Sequence, residues 1–147
     1  MLVDVRAKVA WIIDDKIKKQ TETFILDADT FSQAEYAIMQ ELNAKKEVNL
    51  IDDYEILYLK VSATKEVYTQ YEGEYSYVIT LKDTTLQDDG SEKSIKYKVL
   101  LWASSITDAM SHAREIAAQG YDMQIDGLKE VNYIYLNHEE ESTTSEN

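Results

Sequence analysis

The sequence predicts an α+β fold of two tandem ββαβ units related by a pseudo-twofold axis, with one helix packed on each sheet half. Three observations predict it. Two stretches in each half alternate apolar and polar residues with the period of a half-buried strand. Each half then carries an apolar stripe at three- and four-residue steps, the period of an amphipathic helix. The halves also align by residue: a shift of 75 places Leu26 on Leu101, Ala28 on Ala103 and Ala34 on Ala109. The shared motif is Leu-x-Ala-x-[Thr/Ser]-[Phe/Ile]-[Ser/Thr]-x-Ala, which ends a strand, turns on a small residue, caps a helix with a hydroxyl and docks it with an apolar pair.

The first half opens with Val3, Val5, Ala7, Val9, Trp11 and Ile13 on one strand face and Asp4, Arg6, Lys8 and Ala10 on the other. Asp14-Asp15-Lys16 reads as a turn, followed by a polar stretch to Gln20 and a second strand from Thr23 to Ala28. Asp29 or Thr30 caps a helix whose stripe is Phe31, Ala34, Ile38 and Leu42. That helix ends between Asn43 and Lys46, where lysines suit its negative pole. A third strand runs from Asp53 to Val61.

Residues 62–74 lack a period and read as a connection between repeat one (1–61) and repeat two (75–137). In repeat two, Tyr75, Tyr77, Ile79 and Leu81 alternate. A loop follows from Lys82 to Glu92, with the turn signal Asp88-Asp89-Gly90. Ile95, Tyr97, Val99 and Leu101 form the next strand, and a helix starts near Ser105 with Ile106, Ala109, Ala113 and Ile116 along its stripe. Gly120 suits its C-terminal cap. Val131 to Leu136 is the last strand; a further shift of 77 sets Tyr58-Leu59 on Tyr135-Leu136. A half of this size buries only a thin core, so the expectation is a single domain over 1–137. Residues 138–147 hold no apolar side chain and read as a disordered acidic tail.

Composition narrows the function. The chain has 147 residues, 15 Lys plus Arg and 28 Asp plus Glu, so its formal charge is 15 − 28 = −13. It has no cysteine and no proline. No disulfide scaffold or thiolate chemistry is available, no apolar run approaches the ~20 residues of a membrane helix, and the chain is not a basic DNA-binding domain. The N-terminus does not read as a signal peptide, and the cytoplasm is the expected compartment.

Candidate chemistry is sparse. Asp108 and His112 lie four residues apart, the spacing of an oriented base or of an ordinary surface pair. Carboxylate pairs occur at Asp14-Asp15, Asp52-Asp53 and Asp88-Asp89, without the spacing of a calcium loop. No phosphate-cradling or nucleophile-elbow motif occurs. No cofactor, metal or catalytic residue is expected.

Tyrosine is the compositional oddity, with eleven residues. Tyr54, Tyr58, Tyr75, Tyr77, Tyr97, Tyr133 and Tyr135 fall on predicted strands, where they can build a protein interface, stack bases or fill a half-buried sheet. Lys8, Lys16, Lys18 and Lys19 in the first hairpin and Lys93, Lys96 and Lys98 in the second form a possible basic patch. The first reading is therefore a non-enzymatic protein-interaction module, with self-association also open. A single-stranded nucleic-acid-binding module using these lysines and tyrosines is the second reading. A small-ligand (nucleotide) binder between the two halves is the third.

The segment Leu26-Asp27-Ala28-Asp29-Thr30-Phe31-Ser32-Gln33-Ala34-Glu35, following a hairpin, resembles an uncharacterised family of short duplicated proteins of gut Bacteroidales and their phages. The resemblance covers nearly all of the chain except the tail. It implies a duplicated strand–strand–helix–strand fold and a small phage or mobile-element protein working inside a bacterial cell; binding a host or virion protein is the concrete form that the interaction reading then takes. It implies no activity and no site residue. Half two departs from the pattern, with Met110 in place of Glu35 and Trp102 in place of Asp27.

Overall fold

A computed structural model describes residues 1–119 and 123–137. Among these the chain forms two helices and two four-stranded sheets, an α+β architecture. It divides into two compact units, one of Met1–Ser62 with the chain from Tyr133 onward and one of Ala63–Asn132.

In the first unit, β1 (Leu2–Ile13) and β2 (Lys16–Asp27) make an antiparallel hairpin. Its turn is Asp14 and Asp15 alone, both at positive φ (51° and 62°). Two positive-φ residues match the twist of a hairpin, and aspartate tolerates that conformation. The ladder therefore resumes at Lys16, and the polar stretch expected to precede the second strand is its first half. Thr30 caps α1 (Phe31–Glu47): its Oγ1 accepts from the Gln33 N–H at 3.1 Å, and Gln33 Oε1 accepts from the Asp29 N–H at 3.0 Å. Ala34, Ile38 and Leu42 are buried as the stripe predicts. Phe31, expected to join them, is the first helical residue and stays 45% exposed. The three pack on Val3, Val5, Ala7, Val9, Phe24, Leu26 and Ile51.

β3 (Ile51–Val61) joins the other side of β1 with irregularities between Arg6/Ala7 and Ala10/Trp11. β8 (Tyr133–Tyr135) pairs parallel with β2, so the order is β3-β1-β2-β8.

The second unit begins with β4 (Thr64–Tyr68), a strand inside the expected connection. β5 (Tyr75–Leu86) and β6 (Glu92–Ala103) form a long hairpin. Its loop is only 87–91, closed by Gln87 N–H to Ser91 O at 2.7 Å and turned at Gly90 (φ 86°). The expected loop from Lys82 to Glu92 is thus mostly strand. α2 (Ile106–Gln119) starts with a reciprocal cap. Ser105 Oγ accepts from the Asp108 N–H at 3.1 Å, and Asp108 Oδ2 accepts from the Ser104 N–H at 3.0 Å. Its Ala109, Ala113 and Ile116 pack on Tyr77, Ile79, Leu81, Val99 and Leu101. Ile106, at the helix start, is 62% exposed rather than part of the stripe.

β7 (Gln124–Val131) completes the order β4-β6-β5-β7. The expected last strand at 131–136 is therefore two pieces: Val131 ends β7 in the second sheet, and Tyr133–Tyr135 belongs to the first. The alternation fails over β7 because a bulge opposite Thr80/Leu81 puts Ile125 and Leu128, three residues apart, against one core. The expected Gly120 cap and acidic tail lie outside the described residues.

Candidate functional site

Each helix covers one face of its sheet, so the opposite faces carry the remaining functional side chains. Directly paired residues of an antiparallel ladder share a face. The register therefore assigns the lysines and tyrosines of the paired strands to a side.

On the second sheet, Ser76, Val78, Thr80, Lys82 and Thr84 of β5 lie on the helix-free face. Trp102, Leu100, Lys98, Lys96 and Ser94 of β6 share it, as does Lys129 of β7 opposite Val78. Near Ser76, Val78 and Leu100 this face is buried; towards the hairpin loop it is open. Lys96 and Lys98 are exposed there and Lys82 is half-buried, while Lys129 is exposed on the edge strand β7 beside the buried Val78. Lys82 stands directly opposite Lys96. Lys96 Nζ reaches Asp126 Oδ2 at 3.0 Å, whereas no ion pair among the described residues engages Lys82, Lys98 or Lys129. Like charges directly opposite in a sheet cost stability. A chain with nearly twice as many acids as bases nevertheless places four lysines on this one face.

The helix-free face of the first sheet is charge-paired instead. Its cross-strand pairs include Asp4 with Lys60, Arg6 with Tyr58, Lys8 with Glu55 and Ala10 with Asp53. The small Ala10 side chain floors a surface depression of about 170 Å³ lined by Lys8, Lys19, Asp53, Tyr54 and Glu55. Asp4 is only 5% exposed, and its Oδ1 has no hydrogen-bond partner.

The expected basic patch does not form as one surface. Lys19 shares the helix-free face with Lys8, but Lys16 and Lys18 pair with Ile13 and Trp11 on the helix side. Lys93 falls on the helix side of the second sheet, away from Lys96 and Lys98. β8 pairs with β2 only at 23–25, which leaves Lys16, Lys18 and Lys19 on an unpaired edge, where lysine blocks edge-to-edge association.

The seven tyrosines also separate. Tyr77 is 3% exposed and belongs to the second core, so it offers no interaction surface. Tyr97 packs on the same core with its hydroxyl 2.6 Å from Met123 Sδ, and Tyr75 lies on that helix side at 45% exposure. Tyr54 packs on the first core and donates to Asn43 Oδ1 at 2.8 Å. Tyr58, Tyr133 and Tyr135 alone lie on a helix-free face, that of the first sheet. Burial first, then the Asp4 carboxylate and Tyr58, raises the Tyr133 phenol pKa against the opposing pull of Arg6, so Tyr133 keeps its proton.

Asp108 and His112 form a pair, with Nε2 3.3 Å from Oδ1. The His112 ring stacks on Tyr71 at 4.1 Å, and Tyr71 donates to Glu115 Oε2 at 3.0 Å. The group fastens the chain around Tyr71 onto α2. The Ser104 N–H, followed by the Ser104 hydroxyl and His112, holds the Asp108 carboxyl below its usual range against a smaller opposing effect of burial. Among the described residues no group of three or more His, Asp or Glu is placed to hold a metal ion, and no helix is long and apolar enough to cross a membrane.

A family model described as a domain of unknown function (DUF4494) matches residues 6–137. No curated protein and no solved structure matches the chain.

Proposed function

We propose that the chain, which belongs to this DUF4494 family, is a non-enzymatic binding module whose second sheet takes up the phosphate backbone of nucleic acid. The carrying observation is the lysine face: Lys82, Lys96, Lys98 and Lys129 on one side of one sheet, three of them without an ion-pair partner among the described residues. Long-range repulsion from a charge of −13 opposes the encounter. Beyond a Debye length of about 10 Å at 0.1 M salt, that repulsion is largely screened, and the local lysines act at contact. The tyrosines give the protein-partner reading less surface than their number suggests, because four of the seven lie on the helix sides and one of those is core.

A fluorescence-anisotropy titration of a labelled oligonucleotide across salt concentrations tests the reading. For a single strand, each lysine lost at a phosphate contact lowers the steepness of log K against log salt by about 0.7. Lys82→Gln, Lys98→Gln and Lys129→Gln together should flatten the slope and weaken binding. Equal binding by wild type and the triple variant would overturn it.

The proposal includes an origin by duplication, which both sheets support. Each has its unit's first two long strands at the centre, a helix before its next strand, and a parallel strand beside the second strand. A cytoplasmic role in gut Bacteroidales or their phages rests on the resemblance alone.

A further inference from the structure

We infer that the helix-free face of the first sheet stacks unpaired nucleic-acid bases on Tyr58 and Tyr133, with Arg6 between them. This deepens the nucleic-acid reading and rests on it, but it concerns a different sheet and different residues.

The register places four side chains in one row across four strands: Tyr58 on β3, Arg6 on β1, Thr23 on β2 and Tyr133 on β8. Strands are spaced about 4.8 Å apart, so the two tyrosines rise some 14 Å apart at the backbone. Tyr133 lies within electrostatic reach of Tyr58 and Arg6. Tyr58 is 42% exposed, Arg6 is exposed and Tyr133 is half-buried. Lys60, in the neighbouring row, holds its Nζ 5.8 Å from the Tyr58 ring centroid. Thr23 is short, so the row has a low point between Arg6 and Tyr133 where a planar ring can enter.

These are the parts that single-strand recognition uses: aromatic planes for base faces, a guanidinium that stacks or grips phosphate, and a nearby ammonium. Charge selects the occupant. Arg6 and Lys60 flank the tyrosines, and the one acid between them, Asp4, is buried beneath the surface. Glu55 stands opposite Lys8 in the next row and Asp53 lies beyond it, towards the hairpin turn, and the two limit a strand to the Tyr58 end. Bases inside a duplex are stacked on each other and are not offered to such a row. The ligand is therefore single-stranded nucleic acid.

The test is anisotropy with the full chain, a labelled oligothymidylate, the matching duplex, and inorganic polyphosphate as competitor. Tyr58→Ala should weaken single-strand binding by roughly five- to a hundredfold, the range of one lost base–aromatic stack. It should leave duplex binding, polyphosphate competition and the salt slope unchanged. Tyr58→Phe should bind as wild type, since the ring is kept, and Tyr133→Leu should weaken single-strand binding further. Unchanged single-strand binding by Tyr58→Ala, with loss in the lysine variants, would overturn the stacking site and leave the phosphate reading standing. Equal loss in Tyr58→Phe and Tyr58→Ala would overturn it too, because only the hydroxyl would then matter. Binding of neither oligonucleotide nor polyphosphate would overturn both readings.

Discussion

Lys82 and Lys96 stand directly opposite each other in the β5–β6 ladder, and the Lys96 ammonium reaches Asp126 Oδ2 at 3.0 Å. Like charges directly opposite cost about 0.2–1 kcal/mol, and Asp126 relieves the Lys96 side of that cost while Lys82 keeps its share. Lys82→Glu should therefore do two opposite things. It should raise the urea midpoint by a stability gain of that size, because Lys96 acquires an opposite charge, and it should weaken nucleic-acid binding. A variant that loses stability and binds normally would remove the functional reason for the pair.

Gly73 lies against Ala103 so closely that an added Cβ would overlap the Ala103 backbone Cα, C and O. Backbone atoms cannot rotate aside as a side-chain end can. Gly73→Ala should thus destabilise the second unit by about 1–3 kcal/mol, the usual cost of overpacking. Ala103→Gly should not rescue it, since the obstacle is main chain. Thermal melts of the single and double variants check both statements.

β1 is legible from Val3, Val5, Ala7 and Val9 because no bulge breaks its alternation on the core side and one buried face demands a period of two. α1 and α2 are legible because their stripes and hydroxyl caps agree. β7 and β4 are not. In β7 the bulge displaces the phase, and in β4 only five residues at an edge carry little burial pattern. β8 is readable as a strand, but its sheet is not, because its partner β2 lies more than a hundred residues earlier. The candidate site is half-legible for the same reason. Composition reveals lysines and tyrosines; only the register assigns Lys98 to one face and Lys93 to the other, or Tyr58 to the open side and Tyr77 to the core.

Asp4 should be a stability defect. Its carboxylate is 5% exposed, with an oxygen that accepts no hydrogen bond. A buried charged acceptor without a partner costs more than an ordinary polar group. Asp4→Asn keeps the shape and removes the charge, so the denaturant midpoint should rise by about 1 kcal/mol of stability. A fall of that size would mean the charge is engaged through its other oxygen, with Lys60 opposite as the nearest candidate by register.

Asp108 should make stability fall in acid. The Ser104 N–H and hydroxyl and the His112 ring hold its folded-state pKa below the ordinary aspartate value. A depressed carboxyl pKa means the unfolded chain takes up the proton first. The stabilisation is therefore complete above the unfolded value and is lost as pH falls through the lower, folded one. Thermal midpoints of wild type should drop below about pH 4 more steeply than those of Asp108→Asn, which has no carboxyl to titrate. The cap makes a second demand on the same variant. An asparagine side-chain oxygen can still accept from the Ser104 N–H, so at neutral pH Asp108→Asn should lose only part of what Asp108→Ala loses. Parallel acid limbs for wild type and Asp108→Asn would mean that the carboxylate contributes through geometry alone and not through its charge.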